Sequence, residues 1–208
     1  MGDTHSRIIA AAARKELVPL GFRQQGRSRL SLADRRSWLN VVEFTPSRWS
    51  KSVSLTNAAH WLWLGIGFMS FNVSVPSQLY AEFETEEQFA EAARKIAHAA
   101  RDNARLIDDR FSSFQSVAEF VIERAESSPN RMGPSWWGYE AGIAAGLLGR
   151  TDEATRFLQG VTDDRVTERA AHLLPLINNP GAFRETVNAT VAQERARLKL
   201  AALEQPPF

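Results

Sequence analysis

A chain of 208 residues, 44% hydrophobic and 24% charged, can bury a substantial core and is neither collagen-like nor disordered in composition. A formal net charge of +1 gives no global field to attract nucleic acid or an anionic membrane. The absence of cysteine excludes disulfide scaffolds, thiolate zinc sites, iron–sulfur clusters and cysteine nucleophiles, and it fits a cytoplasmic protein. No signal peptide is expected, because the apolar run Ile8–Ala13 is too short for its central region. Gly2 and Ser6 match a myristoylation pattern, but the match is short and Asp3 sets a charge at the site.

The first predicted helix runs from Thr4 to Val18, with Ile8, Ile9, Ala12 and Leu17 inward and Pro19 and Gly21 as its stop. The hydrophobic period then changes to two. "RLSL", "SWLNVVEF", "SVSL" and "FNVSV" alternate, the second placing Trp38, Val42 and Phe44 on one side. In the last, Phe71, Val73 and Val75 are expected inward, Asn72 and Ser74 outward, with Pro76 as the end. The run "HWLWLGIGFMSFNVSV", His60 to Val75, reads as two strands buried on both faces around its glycines. Its uninterrupted apolar part is far shorter than a membrane helix requires. Gly65 and Gly67 lack the third glycine of a dinucleotide fingerprint, so they read as a bulge, a bend or a close backbone approach.

At Thr85 the period returns to three and four. "TEEQ" is a capping box, and Phe89, Ala93, Ile96, Ala100, Ala104, Ile107 and Phe111 form one stripe facing the sheet. A second box, "SVAE" from Ser116 to Glu119, predicts a shorter helix, and "SSPNRMGP" from Ser127 to Pro134 stacks chain breakers as a boundary. Beyond it, helices are predicted over Trp136–Leu148 and Asp152–Gln159, with Gly149 as terminator and Thr151 or Asp152 as the next cap. A second pair, Asp163–Ile177 and Ala182–Leu203, flanks "NNPG". The expected class is α+β: an N-terminal helix, an antiparallel sheet of three to five strands, a long packing helix, then an all-helical extension. The expected domains are 1–126 and 135–208.

"LVPLGF" (Leu17 to Phe22), "WLNVVEFTPSRWS" (Trp38 to Ser50) and "LWLGIGF" (Leu62 to Phe68), in that order, resemble the bacterial family catalogued as domain of unknown function 4304. The likeness spans Ile8 to Phe111, except that Lys51 to His60 departs from the family spacing. It implies the fold of the N-terminal half and no activity, since the family has no assigned chemistry. "AGLLGRTDEA" is similar to one tetratricopeptide-like hairpin, with no second copy at a fixed period.

The four histidines (His5, His60, His98, His172) show no metal-ligand spacing, and the nucleophile-elbow, zincin, phosphate-loop and calcium-loop patterns are missing. No metal, cofactor or membrane partner is therefore expected, and the balance leans away from an enzyme. His98 and His172 read as surface or satisfied residues beside apolar stripes. His60 is the one to watch, because it abuts the tryptophan-rich run. Charge is uneven: residues 14–51 hold nine basic and three acidic residues, and residues 82–126 hold eleven acidic and six basic. Arg27, Arg29, Arg35, Arg36, Arg48, Trp49 and His60 form the candidate face for an acidic protein or a phosphate. The alternative is a solvated sheet edge whose charges block edge-to-edge pairing. Trp136 and Trp137 either pack the extension or form an exposed aromatic anchor. The expected function is a non-enzymatic protein-interaction module, such as a regulatory or toxin-neutralising partner. A nucleic-acid-binding module is the alternative, and an enzyme site near His60, Trp63 and the "SRW" turn is a third reading.

Overall fold

The computed structural model describes residues 4–26, 28–46, 52–75, 77, 79–127 and 136–208. Its order is α1 (Thr4–Leu17), β1 (Arg23–Gln24), β2 (Leu30–Asp34), β3 (Trp38–Pro46), β4 (Ser52–Trp61), β5 (Val73–Val75) and β6 (Tyr80–Glu82). Then come α2 (Glu86–Arg110), α3 (Phe114–Ser127), α4 (Gly138–Leu147), α5 (Thr151–Gln159), α6 (Thr167–Leu173) and α7 (Pro180–Arg197). The protein is α+β: an N-terminal helix, an antiparallel sheet, a long helix packed on it, and helices to the end. The sheet has six strands in the order β1-β2-β3-β4-β5, with β6 also pairing β4. By packing, the chain divides into one unit of residues 1–61 and 69–109 and another of residues 62–68 and 110–208. Residues 128–135, most of the stretch read as the domain boundary, lie outside the described residues.

In the first unit the period of two places Trp38, Asn40, Val42 and Phe44 on one face of β3. Register sets them opposite Trp61, Ala59, Asn57 and Leu55 of β4. That face packs against α1 and α2 through Ile9, Leu17, Val42, Phe44, Phe89 and Ala93. The α2 stripe is rich in alanine, and small side chains let the helix backbone approach the sheet. Two fully buried asparagines use that approach. Nδ2 of Asn57 donates to the Ala100 carbonyl (2.9 Å), and Nδ2 of Asn40 donates to the Ala104 carbonyl (2.8 Å). These bonds, one helical turn apart, lock the axial position of α2 on the sheet.

α1 stops as its sequence requires. Pro19 lies in a 3₁₀ turn, Val18–Leu20, and Gly21 takes a left-handed φ of 83°. Its buried stripe is His5, Ile9, Ala13 and Leu17, so Ile8 and Ala12 are only half-buried flanks. Thr85 caps α2 by accepting from the Gln88 N–H, but the Gln88 amide oxygen answers Glu84 rather than Thr85.

Several sequence expectations are corrected. α3 begins at Phe114, and its reciprocal cap is Ser113 with Ser116: the Ser116 N–H donates to Ser113 Oγ (3.1 Å), and the Ser113 N–H to Ser116 Oγ (3.3 Å). Serine supplies the returning oxygen, which leaves Glu119 to pair with Arg150. The N-cap of α5 is Arg150, without a side-chain cap bond, so Thr151 and Asp152 fall in its first turn. α7 ends at Arg197 rather than Leu203, because Lys199 turns left-handed (φ 58°) and the Leu200 N–H returns to the Arg195 carbonyl (2.9 Å).

The run from His60 to Val75 is not a pair of buried strands. His60 and Trp61 end β4, Leu62–Leu64 form a 3₁₀ turn, and β5 begins only at Val73. Gly65 and Gly67 both adopt left-handed backbone (φ 64° and 75°), which a strand cannot accommodate. Phe71, expected inward, is exposed.

In the second unit, α4 is buried on nearly every side, as a helix with no polar face must be. α4 packs with α3, α5 and α7, and the Leu62–Leu64 turn packs with α7. Trp136 is buried, stacked with Phe68 (6.3 Å between centroids), and the Arg165 guanidinium lies over its ring (4.8 Å).

Candidate functional site

Of the seven sequence-selected residues, Arg27, Arg48 and Trp49 lie outside the described residues. The other four occupy different environments. Arg35 grips Asp108 with both arms, Nε to Oδ1 at 2.8 Å and Nη2 to Oδ2 at 2.6 Å, and Nη2 also donates to the Leu20 carbonyl. The hydrogen bonds to Asp108 hold the Arg35 guanidinium above its ordinary pKa. Arg35 thus ties the β2–β3 turn to α2 and to the end of α1. Arg36 is exposed at that turn, in left-handed backbone (φ 66°), with its N–H donated to Asp34 Oδ1.

Arg29 is half-buried and donates from Nη2 to Ser6 Oγ (2.7 Å) and to His5 Nδ1 (3.4 Å). The His5 ring rests on Phe89, 4.4 Å between centroids, so Arg29 pins the start of α1 to the sheet. His60 is 1% exposed. Its Nδ1 lies 3.1 Å from the Ser70 carbonyl and 3.3 Å from the Ser70 N–H, which fastens the end of β4 to the loop before β5. Register places it opposite fully buried Leu39. This is the environment of a structural histidine. His98, by contrast, is on the surface beside Glu16 (3.1 Å).

The structure instead brings other arginines together. A groove of about 410 Å³ runs between α1 and the β1 edge of the sheet. Ile9, Ala13, Leu17, Phe22 and Phe44 form its floor, and Arg14, Arg23, Gln24 and Arg29 its walls and rim. Arg14 and Arg23 are exposed, and neither makes a side-chain hydrogen bond or ion pair among the described residues. β1 is an edge strand of two residues that pairs with β2 on one side.

The physics of this site is simple. The floor side chains are core residues with little surface left, and each Å² of it that an occupant covers is worth roughly 25 cal/mol. Two guanidiniums without a partner among the described residues attract carboxylates in bidentate geometry. An open strand edge supplies backbone donors and acceptors to an added strand. Arg14 and Arg23 belonged to the basic segment in the sequence, but nothing local separated them from Arg35. The usable signal was "LVPLGFRQ", where a helix stop returns the chain beside its own helix and sets Arg23 across from Arg14.

Among the described residues no group of three histidine or acidic side chains could hold a metal ion, and no helix is long and apolar enough to cross a membrane. No family model, curated protein or solved structure matches the chain.

Proposed function

We propose that this chain is a protein-interaction module that docks an extended acidic segment of a partner protein in the groove between α1 and β1. The observation that carries the reading is the pairing of an apolar floor with Arg14 and Arg23, two exposed guanidiniums lacking an ion-pair partner among the described residues. A segment alternating aliphatic with Asp or Glu side chains fits both, and it can extend the sheet along the free edge of β1. A regulatory target or a toxin carrying such a segment is the class of partner meant. Nucleic acid is the less supported reading, since Arg35 is engaged by Asp108 and Arg29 by Ser6.

Selection of short random peptides on the purified protein tests this directly. Enrichment of alternating aliphatic and acidic sequences is expected. A chosen peptide should bind the Arg14→Glu/Arg23→Glu variant about tenfold more weakly or worse, as reversal of rim charges implies. An unenriched library, or binding indifferent to both arginines, overturns the proposal. So does single-stranded oligonucleotide binding that exceeds peptide binding and falls steeply with salt.

A further inference from the structure

A second pocket lies wholly within the unit formed by residues 62–68 and 110–208. It encloses about 370 Å³, the size of a small-ligand site. Trp63, Tyr139, Leu173 and Val187, each almost wholly buried, form its apolar floor. Glu168, Arg169 and His172 of α6 reach it from one side, and Thr186 and Thr190 of α7 from the other. Both threonine hydroxyls donate to carbonyls of their own helix, so what they offer the pocket is an acceptor and a methyl.

Arg169 is an exposed residue whose guanidinium rests on the backbone at Gly65. A Cβ on Gly65 would lie 2.8 Å from Arg169 Nη1 and 2.5 Å from Thr190 Cγ2, so the guanidinium sits directly against the left-handed glycine. This is a close approach at Gly65 alone, since nothing lies within 4 Å of the missing side chain of Gly67. Burial holds the Tyr139 hydroxyl above its ordinary pKa, with the Arg169 charge pulling the other way, and that hydroxyl donates to the Leu64 carbonyl at 3.0 Å. Yet Arg169 makes no hydrogen bond or ion pair among the described residues. Glu194 on the facing helix is engaged by Arg197 (2.6 Å) and the Gly67 N–H (3.2 Å). Glu168 and His172, though spaced by one turn, do not pair with each other or with Arg169.

An arginine resting on a glycine, with no counter-ion among the described residues and with aromatic side chains beneath it, is an anion site with an apolar contact attached. Glu168 at the rim sets a limit on charge, because it repels a dianion more than a monoanion. We propose that this pocket binds a small organic monocarboxylate, its carboxylate on Arg169 and its aromatic or aliphatic body against Trp63, Tyr139 and Leu173.

Titration calorimetry on the full chain with benzoate, hexanoate, neutral benzamide and inorganic phosphate is the test. Saturable binding of benzoate or hexanoate is expected, with benzamide weaker by about tenfold, the scale of one charge-assisted contact. Arg169→Gln should lose carboxylate binding to about the same extent. Arg184→Gln, at an exposed α7 residue that does not line the pocket, should bind like the parent. Circular dichroism of both variants confirms that they fold. Absence of saturable heat with both carboxylates overturns the proposal, as does tighter binding of phosphate or unchanged binding by Arg169→Gln. The peptide-docking reading of the α1–β1 groove is unaffected by either result, since the two sites share no residue.

Discussion

Removing the Asp108 carboxylate releases three donors at once: Arg35 Nε, Arg35 Nη2 and Asn40 Nδ2. Asn40 keeps the Ala104 carbonyl and Arg35 keeps the Leu20 carbonyl, so the loss is partial. Asp108→Ala is expected to lower unfolding stability by about 1–3 kcal/mol in urea titrations. Both side chains are about a quarter exposed, 27% and 26%, so solvent screens part of the attraction. A double-mutant cycle with Arg35→Gln should give a coupling of about 1 kcal/mol, and additive single mutants would show that the pair holds nothing together. Asp163 makes a sharper test, because it is read directly. Its hydrogen bonds from the Arg165 side chain lower its pKa to about 2. A depressed carboxylate adds stability that is full above the ordinary range, about 4, and is lost as pH falls through the folded value. The window is therefore pH 4 down to about 2. An NMR titration should find Asp163 near the lower value and should find it restored toward about 4 in Arg165→Gln. Neither partnership has equal standing in the sequence. Asp163 and Arg165 are neighbours, whereas Arg35 and Asp108 are 73 residues apart and no spacing rule connects them.

At the scale of elements, α4 is the helix whose composition and packing pull in opposite directions. Gly142 and Gly146 each forgo about 1 kcal/mol of helix propensity relative to alanine. What they gain is proximity: a Cβ at Gly142 would lie 2.6 Å from Leu158 Cγ of α5, and one at Gly146 would strike the ring of Phe183 of α7. Overpacking costs about 1–3 kcal/mol, which exceeds the propensity gain at a branch atom or a rigid ring. Gly142→Ala and Gly146→Ala are therefore expected to lower the thermal midpoint, and a rise in either would show that the neighbours yield freely. Gly149, in left-handed backbone with nothing near its missing side chain, needs glycine for conformation alone. The "AGLLGRTDEA" hairpin was legible as two helices joined at that glycine. Which glycines serve the turn and which serve the packing was not legible, since both kinds look alike until the partner helices are in place. The serine pair at the start of α3 teaches the same lesson: three candidate serines and one glutamate lie within eight residues, and only the backbone trace selects Ser113.

Over the whole molecule, the two packed units have different chemistry at their surfaces. The first offers an apolar groove edged by arginines, and the second a mixed-charge pocket with an aromatic floor. Both sites fall mostly on residues the sequence did not select, and for one reason. Arginine in a basic segment and histidine beside an apolar stripe have the same local signature whether they are engaged or free. His60 was singled out because it abuts the tryptophan-rich run and is buried against Ser70; His172 read as a surface or satisfied residue and lines a pocket. By itself the sequence determined the α+β class, the helix–sheet–helix order, the faces of β3 and α2, and the stop of α1 at Pro19 and Gly21. Those features depend on the periods of 3.6 and 2 and on residues with restricted or permissive backbones, all of them local properties. Only the tertiary structure decided that Arg35 is held and Arg14 and Arg23 are open, and that Leu62 to Phe68 turns rather than extends. These outcomes depend on which carboxylate, carbonyl or ring a remote segment brings within reach, and that is a matter of packing between residues far apart in the chain.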